Sequence, residues 1–96
     1  MIPSEALRIH RDEILRLAAA RNVCNVRVFG SVLYGDDDWD SDIDILVDPL
    51  PGTSLFDLGG LQVDLEELLG VAVDLLTPGD LPAKFRDQVL AEARQI

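Results

Sequence analysis

Residues Gly30–Asp48 read GSVLYGDDDWDSDIDILVD, and they decide the fold. An apolar run ends at Phe29, Gly30-Ser31 turns the chain, a short helical turn follows, and Asp42-Ile43-Asp44 opens a second strand. Side chains alternate along a strand, so Asp42 and Asp44 share one face while Ile43, Ile45 and Val47 take the other. Two such carboxylates have Cα atoms roughly 6–7 Å apart. That spacing suits a shared site for two divalent cations about 3.5–4 Å apart, the arrangement that carries in-line phosphoryl or nucleotidyl transfer.

Working outward, Ser4–Ala20 is expected to be a helix, with Ser4 as cap and Leu7, Ile14, Leu17 and Ala18 as its apolar stripe. Val26–Phe29 reads as the first strand, Ser31–Gly35 as a helical turn, and Asp42–Val47 as the second strand. Pro49, Pro51 and Gly52 break the chain. Ser54–Leu69 reads as a helix with Leu58, Leu61, Leu65, Leu68 and Leu69 inward, weakened by Gly59-Gly60 and ended by Gly70. Val71–Leu76 is a third strand and Pro82–Ala93 a closing helix. The order αβαβαβα implies the α/β (α+β) class: a small mixed sheet of three to four strands with helices packed on it. Residues 1–96 form one domain with one modest core.

The formal net charge is −10, and its distribution matters more than its size. All eight basic residues lie within Arg8–Arg27 or Lys84–Arg94, whereas Val28–Ala83 carries thirteen Asp or Glu and no Lys or Arg. Such a surface repels nucleic acid and favours a basic protein partner. A triphosphate at Gly30-Ser31 would rely on metal ions and backbone N–H groups for neutralisation. No apolar run reaches the roughly 18–20 residues of a membrane span. The N-terminus lacks the pattern of a secretory signal, and the lone Cys24 cannot form an internal disulfide; both point to a cytoplasmic protein.

Gly30 lets phosphate oxygens approach the backbone, the helix start after it offers free N–H groups, and the Ser31 hydroxyl adds a donor. Asp42 and Asp44 are hard oxygen ligands without a His or Cys cluster, which selects Mg²⁺ or Mn²⁺ over zinc. Asp44 lies in an apolar strand, where a carboxylate needs a partner such as a metal. Asp74 shares a face with Ala72 and Leu76, and it reaches the same cleft if its strand pairs with the second. Asp36, Asp37, Asp38 and Asp40 read as a solvated loop, with a basic partner as the other reading. Trp39 has three readings: stacking on a base, docking a partner or covering the core edge. His10 reads as a packing residue and Cys24 as a small core or edge residue.

Gly30-Ser31, ten residues, then Asp42-Ile43-Asp44 resembles the signature of the polymerase β-like nucleotidyltransferase superfamily. Nearly end to end, the chain is similar to minimal nucleotidyltransferase (MNT) domains, through Ser54-Leu55-Phe56-Asp57-Leu58, Leu65-Glu66-Glu67-Leu68-Leu69-Gly70, Val73-Asp74-Leu75-Leu76-Thr77-Pro78 and Val89-Leu90-Ala91-Glu92-Ala93. The resemblance implies the polymerase β-like fold and two Mg²⁺ (or Mn²⁺) held by Asp42, Asp44 and Asp74. Asp74 would bind the catalytic ion and help deprotonate the attacking hydroxyl, while Gly30 and Ser31 hold the β and γ phosphates. It also implies transfer of AMP from ATP, or of another nucleoside monophosphate, to a tyrosine of a HEPN-domain toxin partner. The chain would then act as the antitoxin. Two alternatives stand beside this: a binding module that neutralises a toxin by occupancy, and a homodimeric small-molecule nucleotidyltransferase. Family members often carry Ala-Arg-Gly where this chain has Leu33-Tyr34-Gly35, which implies a weaker hold on phosphate or partner.

Overall fold

A computed structural model describes residues 2–38 and 40–96. Trp39, whose role the sequence left open, lies outside the described residues. The elements are α1 (Pro3–Ile9), α2 (Arg11–Ala20), β1 (Val23–Phe29), α3 (Ser31–Tyr34), β2 (Ile43–Pro49), α4 (Leu55–Leu69), β3 (Val73–Leu76), a 3-10 turn (Pro78–Asp80), α5 (Ala83–Glu92) and β4 (Arg94–Gln95). The sheet runs β3-β2-β1-β4, with β2 and β3 parallel and the other two pairs antiparallel. The mixed α+β class expected from sequence is therefore the observed one. The two-residue β4, hydrogen-bonded to the edge of β1, adds a fourth strand after the closing helix.

The parallel β2–β3 pair follows from α4, which carries the chain back along the sheet between them, as parallel pairing requires. Ile43, Ile45 and Val47 point to the helical side and are fully buried with Ile14, Leu61 and Leu65. Each such aliphatic side chain contributes about 1.5–3 kcal/mol by leaving water. Leu46 is equally buried but on the opposite face, and Leu81 after the 3-10 turn is buried outside the main core. Both faces of β2 are thus covered over its middle.

Three local features depart from the sequence reading. The first helix is split at His10, whose backbone (φ −99°, ψ 16°) leaves the helical region. Ile2 occupies the cap position and Ser4 does not cap; instead the Asp37 carboxylate accepts from the Ser4 N–H at 2.8 Å. That bond holds the Asp37 carboxyl below the usual carboxylate range. Strand β1 starts at Val23 instead of Val26, because a bulge between Cys24 and Arg27 lets Val23 and Val26 both reach the core despite their odd spacing. Asn25 takes φ 55° there, a conformation that asparagine tolerates better than most residues. Cys24 is exposed at this edge.

Helix α4 runs unbroken through Gly59-Gly60. Ser54 and Asp57 form a reciprocal capping box at its start, and Gly70 ends it at φ 71°. Gly60 has a packing reason: a Cβ there would sit 2.6 Å from the Arg21 guanidinium carbon. Arg21 lies over that gap and pairs with Asp64 at 3.1 Å.

Candidate active site

The register of the sheet assembles the site. Parallel pairing puts Asp44 level with Asp74, and the Ile43 N–H donates to the Ala72 carbonyl at 3.0 Å, tying the two strand starts together. On the other flank, antiparallel β1 puts Phe29 level with Asp44. Residues facing each other across a ladder point to the same side, so Asp74, Asp44 and Phe29 line one row of the open face. Asp42 stands one step ahead of β2 on that same face, exposed.

Gly30 turns the chain immediately beside this row. Its backbone (φ 74°, ψ −152°) belongs to a region that L side chains avoid. A Cβ at Gly30 would overlap the Asp44 carboxylate and stand 3.2 Å from its Cγ. The glycine therefore serves two needs, the turn and the close approach of the backbone to Asp44. Sequence reasoning found the first and missed the second. Phe29 was also missed as a site neighbour, because only the β1–β2 register reveals it.

Ser31 opens α3, whose first N–H groups have no acceptor within the helix. The helix is a single turn, so those N–H groups matter more than any macrodipole. Tyr34 donates its hydroxyl to Glu92 at 2.6 Å. That bond raises the phenol's pKa.

The electrostatics of the row are those of clustered like charges. The Asp44 carboxyl is raised above the ordinary carboxylate range, first by burial, then by the charges of Asp74 and Asp42. No Lys or Arg is hydrogen-bonded or ion-paired to these three residues among the described residues. A half-buried carboxylate repelled by two others is relieved by a nearby positive charge, and a divalent cation is one that Asp42, Asp44 and Asp74 could hold. The described residues do not close three donors around one point. An open site suits Mg²⁺, which keeps waters and takes substrate phosphate oxygens in preference to an all-protein cage. The acidic loop is solvated as expected, with Asp36, Asp38 and Asp40 exposed, and it carries local bonds: Asp38 accepts from the Asp40 N–H at 2.9 Å and from the Ser41 hydroxyl at 3.3 Å. The Asp37 carboxylate, bonded to the Ser4 N–H, ties the same loop to the start of α1.

Comparison with known proteins decides the family. The nucleotidyltransferase domain family matches residues 7–96. The chain belongs to the nucleotidyltransferase domain family. Within it, the chain is a minimal nucleotidyltransferase, an enzyme of nucleotidyl transfer. It is 37% identical to the protein adenylyltransferase MntA of Thermococcus cleftensis, over 90% of this chain and 84% of the relative. A solved structure described as a candidate minimal nucleotidyltransferase superposes with a TM-score of 0.87 at 43% identity, covering 97% of this chain and 95% of the other. A toxin–antitoxin crystal structure with AMP-PNP shares the fold, with a TM-score of 0.73 at 24% identity over 88% of this chain and 69% of that one. No helix among the described residues is long and apolar enough to cross a membrane.

Proposed function

We propose that this minimal nucleotidyltransferase transfers AMP from ATP to a hydroxyl of a protein acceptor, a tyrosine of a helical HEPN-type toxin, and so acts as its antitoxin. The relative named as a protein adenylyltransferase supports the donor and the acceptor class. The observation that carries the reading is the row Asp74–Asp44 with the Gly30 backbone packed against Asp44. The triphosphate lies along Gly30-Ser31, where backbone N–H groups and the Ser31 hydroxyl hold the β and γ phosphates. Asp42, Asp44 and Asp74 would hold Mg²⁺, which supplies charge neutralisation at the phosphates and lowers the pKa of the acceptor hydroxyl.

Asp74 is exposed at the outer strand, on the side open to an acceptor. Its carboxylate takes the hydroxyl proton as the acceptor oxygen attacks the α-phosphorus. The new O–P bond forms, the bond from the α-phosphorus to the bridging oxygen breaks, and pyrophosphate leaves. Leu46 and the buried Leu81 give the face a dry floor beyond Asp44. The acidic stretch from Val28 to Ala83 favours a basic acceptor protein, and its cytoplasmic location is part of the same proposal.

The test uses ATP labelled at the α-phosphate, Mg²⁺ and the protein encoded beside this one. Label on the acceptor with an equal release of pyrophosphate supports the proposal. Stable complex formation without label favours neutralisation by occupancy. Pyrophosphate release with a small hydroxyl compound and no protein partner favours the small-molecule reading.

A further inference from the structure

A cleft of about 290 Å³ opens on the helical side of the sheet, across β1 from the carboxylates. Val28 forms part of its floor, and Val28 points away from the face that Phe29 shares with Asp44. Leu7, Val32, Leu33 and Ile96 complete a mostly apolar lining, to which Arg8 and Arg11 also belong. The volume is near the lower end of the range for small-molecule sites.

The arginines of this chain are engaged to different degrees. Arg16, Arg21 and Arg27 are each in an ion pair with an acidic residue. Arg86 is spent on the carbonyls of Pro78 and Leu81. Arg8 makes no ion pair or side-chain hydrogen bond among the described residues, and it is exposed. Arg11 donates to the Ile96 carbonyl at 2.9 Å and lies 3.4 Å from the exposed Asp12 carboxylate, which leaves guanidinium donors over. Arg8, at the cleft, and Arg94, in β4, are thus the two arginines with neither an ion pair nor a side-chain hydrogen bond among the described residues. Arginine recognises carboxylates with two parallel donors, while the floor rewards an apolar body.

We propose that this cleft binds a small amphiphilic anion, an apolar chain or ring ending in a carboxylate, and that occupancy is felt at the phosphate-binding turn. Two connections carry the second half. Val32 and Leu33 belong to α3, whose first residue is Ser31. Ser4 on the cleft wall is bonded to Asp37, in the loop that leads to Asp42. A ligand wedged between α1, α2 and α3 therefore acts on both segments that deliver the site. The first half stands whether or not the acceptor is a protein.

The experiment is a ¹H–¹⁵N NMR titration of the full chain with octanoate, octanol and octylammonium in parallel. Saturable shifts are expected for Leu7, Val28, Val32 and Leu33 with octanoate, with smaller ones at Ser31. Octylammonium should bind at least about tenfold more weakly, a difference well within the reach of one charge pair. Arg8→Glu, an exposed change that leaves the core intact, should reverse that preference. A second variant, Leu33→Trp, should fill the floor and abolish binding while the spectrum stays folded. Absence of saturable shifts up to about 10 mM octanoate, a concentration that detects even millimolar affinity, overturns the site. Equal binding of all three compounds, or an unchanged preference in Arg8→Glu, overturns the anion selectivity. Shifts confined to the floor with Ser31 unmoved overturn the coupling to the turn.

Discussion

Replacing Gly30 with alanine should separate a structural glycine from one that builds the site. Two costs follow from the geometry. At φ 74° and ψ −152° a non-glycine residue costs on the order of 1–3 kcal/mol of stability. The new Cβ also overlaps the Asp44 carboxylate, so either Asp44 rotates away or the end of β1 shifts. Both responses move a carboxylate by something near 1 Å, and a misplacement of that size costs about 100-fold in rate. Gly35 is the control. It has the same φ of 74°, but an added Cβ would meet nothing within 4 Å. Gly35→Ala should lose about 1 kcal/mol, the ordinary cost of a left-handed residue, and keep its rate. Thermal melts report the stability part, at roughly 4–8 °C per kcal/mol for a domain of this size. Pyrophosphate release with Mg²⁺, ATP and the acceptor protein reports the rate. A Gly30→Ala protein that turns over within a few-fold of the Gly35→Ala protein would refute the argument, because the close contact would then have no consequence for Asp44.

Other outcomes are equally specific. Asp44→Asn should abolish transfer and make the metal-free protein more stable at neutral pH. Its carboxyl is raised in the fold, so the fold favours the protonated form; that stability is present below the unfolded pKa and lost as pH rises through the raised one. Melts of wild type and Asp44→Asn across that pH window should converge at low pH and diverge above it; parallel curves would count against the cause assigned. Asp57 behaves with the opposite sign: its carboxyl is lowered by the Ser54 N–H, so the stability it adds is lost as pH falls through that lowered value, and Asp57→Asn should flatten the acid limb. Leu61→Ala, at a fully buried position, should cost about 2–5 kcal/mol, enough to threaten a small domain, as denaturant unfolding would show. Gly60→Ala should be near neutral in the same assay. About 1 kcal/mol of helix propensity is gained, but Arg21 must move, which costs its part-exposed pair with Asp64.

The strand alternation around Ile43, Ile45 and Val47 made β2 and its buried face legible, because period-two patterning is a local signal. The same alternation placed Asp42 and Asp44 together. Asp74 needed one further fact, the parallel register of β2 with β3, which no local pattern encodes; the sequence could state it only as a condition. The capping residue at Gly70 and the helix through Leu61 and Leu65 were legible from composition and spacing. What was not legible is tertiary. Asp37 capping α1 across thirty-three positions, the bulge that turns Val23 inward, and the Arg21 side chain that accounts for Gly60 all depend on contacts between distant segments. The edge strand Arg94–Gln95 is too short to announce itself by pattern, and it exists because β1 offers an open edge.

Titration of the ¹⁵N-labelled chain with Mn²⁺, followed by paramagnetic broadening, tests most directly whether Asp42, Asp44 and Asp74 hold the metal. Broadening should begin at the amides of Gly30, Asp42, Asp44 and Asp74, sharpen its preference for them when ATP is added, and disappear from them in Asp44→Asn. Broadening that begins at Asp36–Asp38 and leaves Asp44 and Asp74 untouched would contradict it.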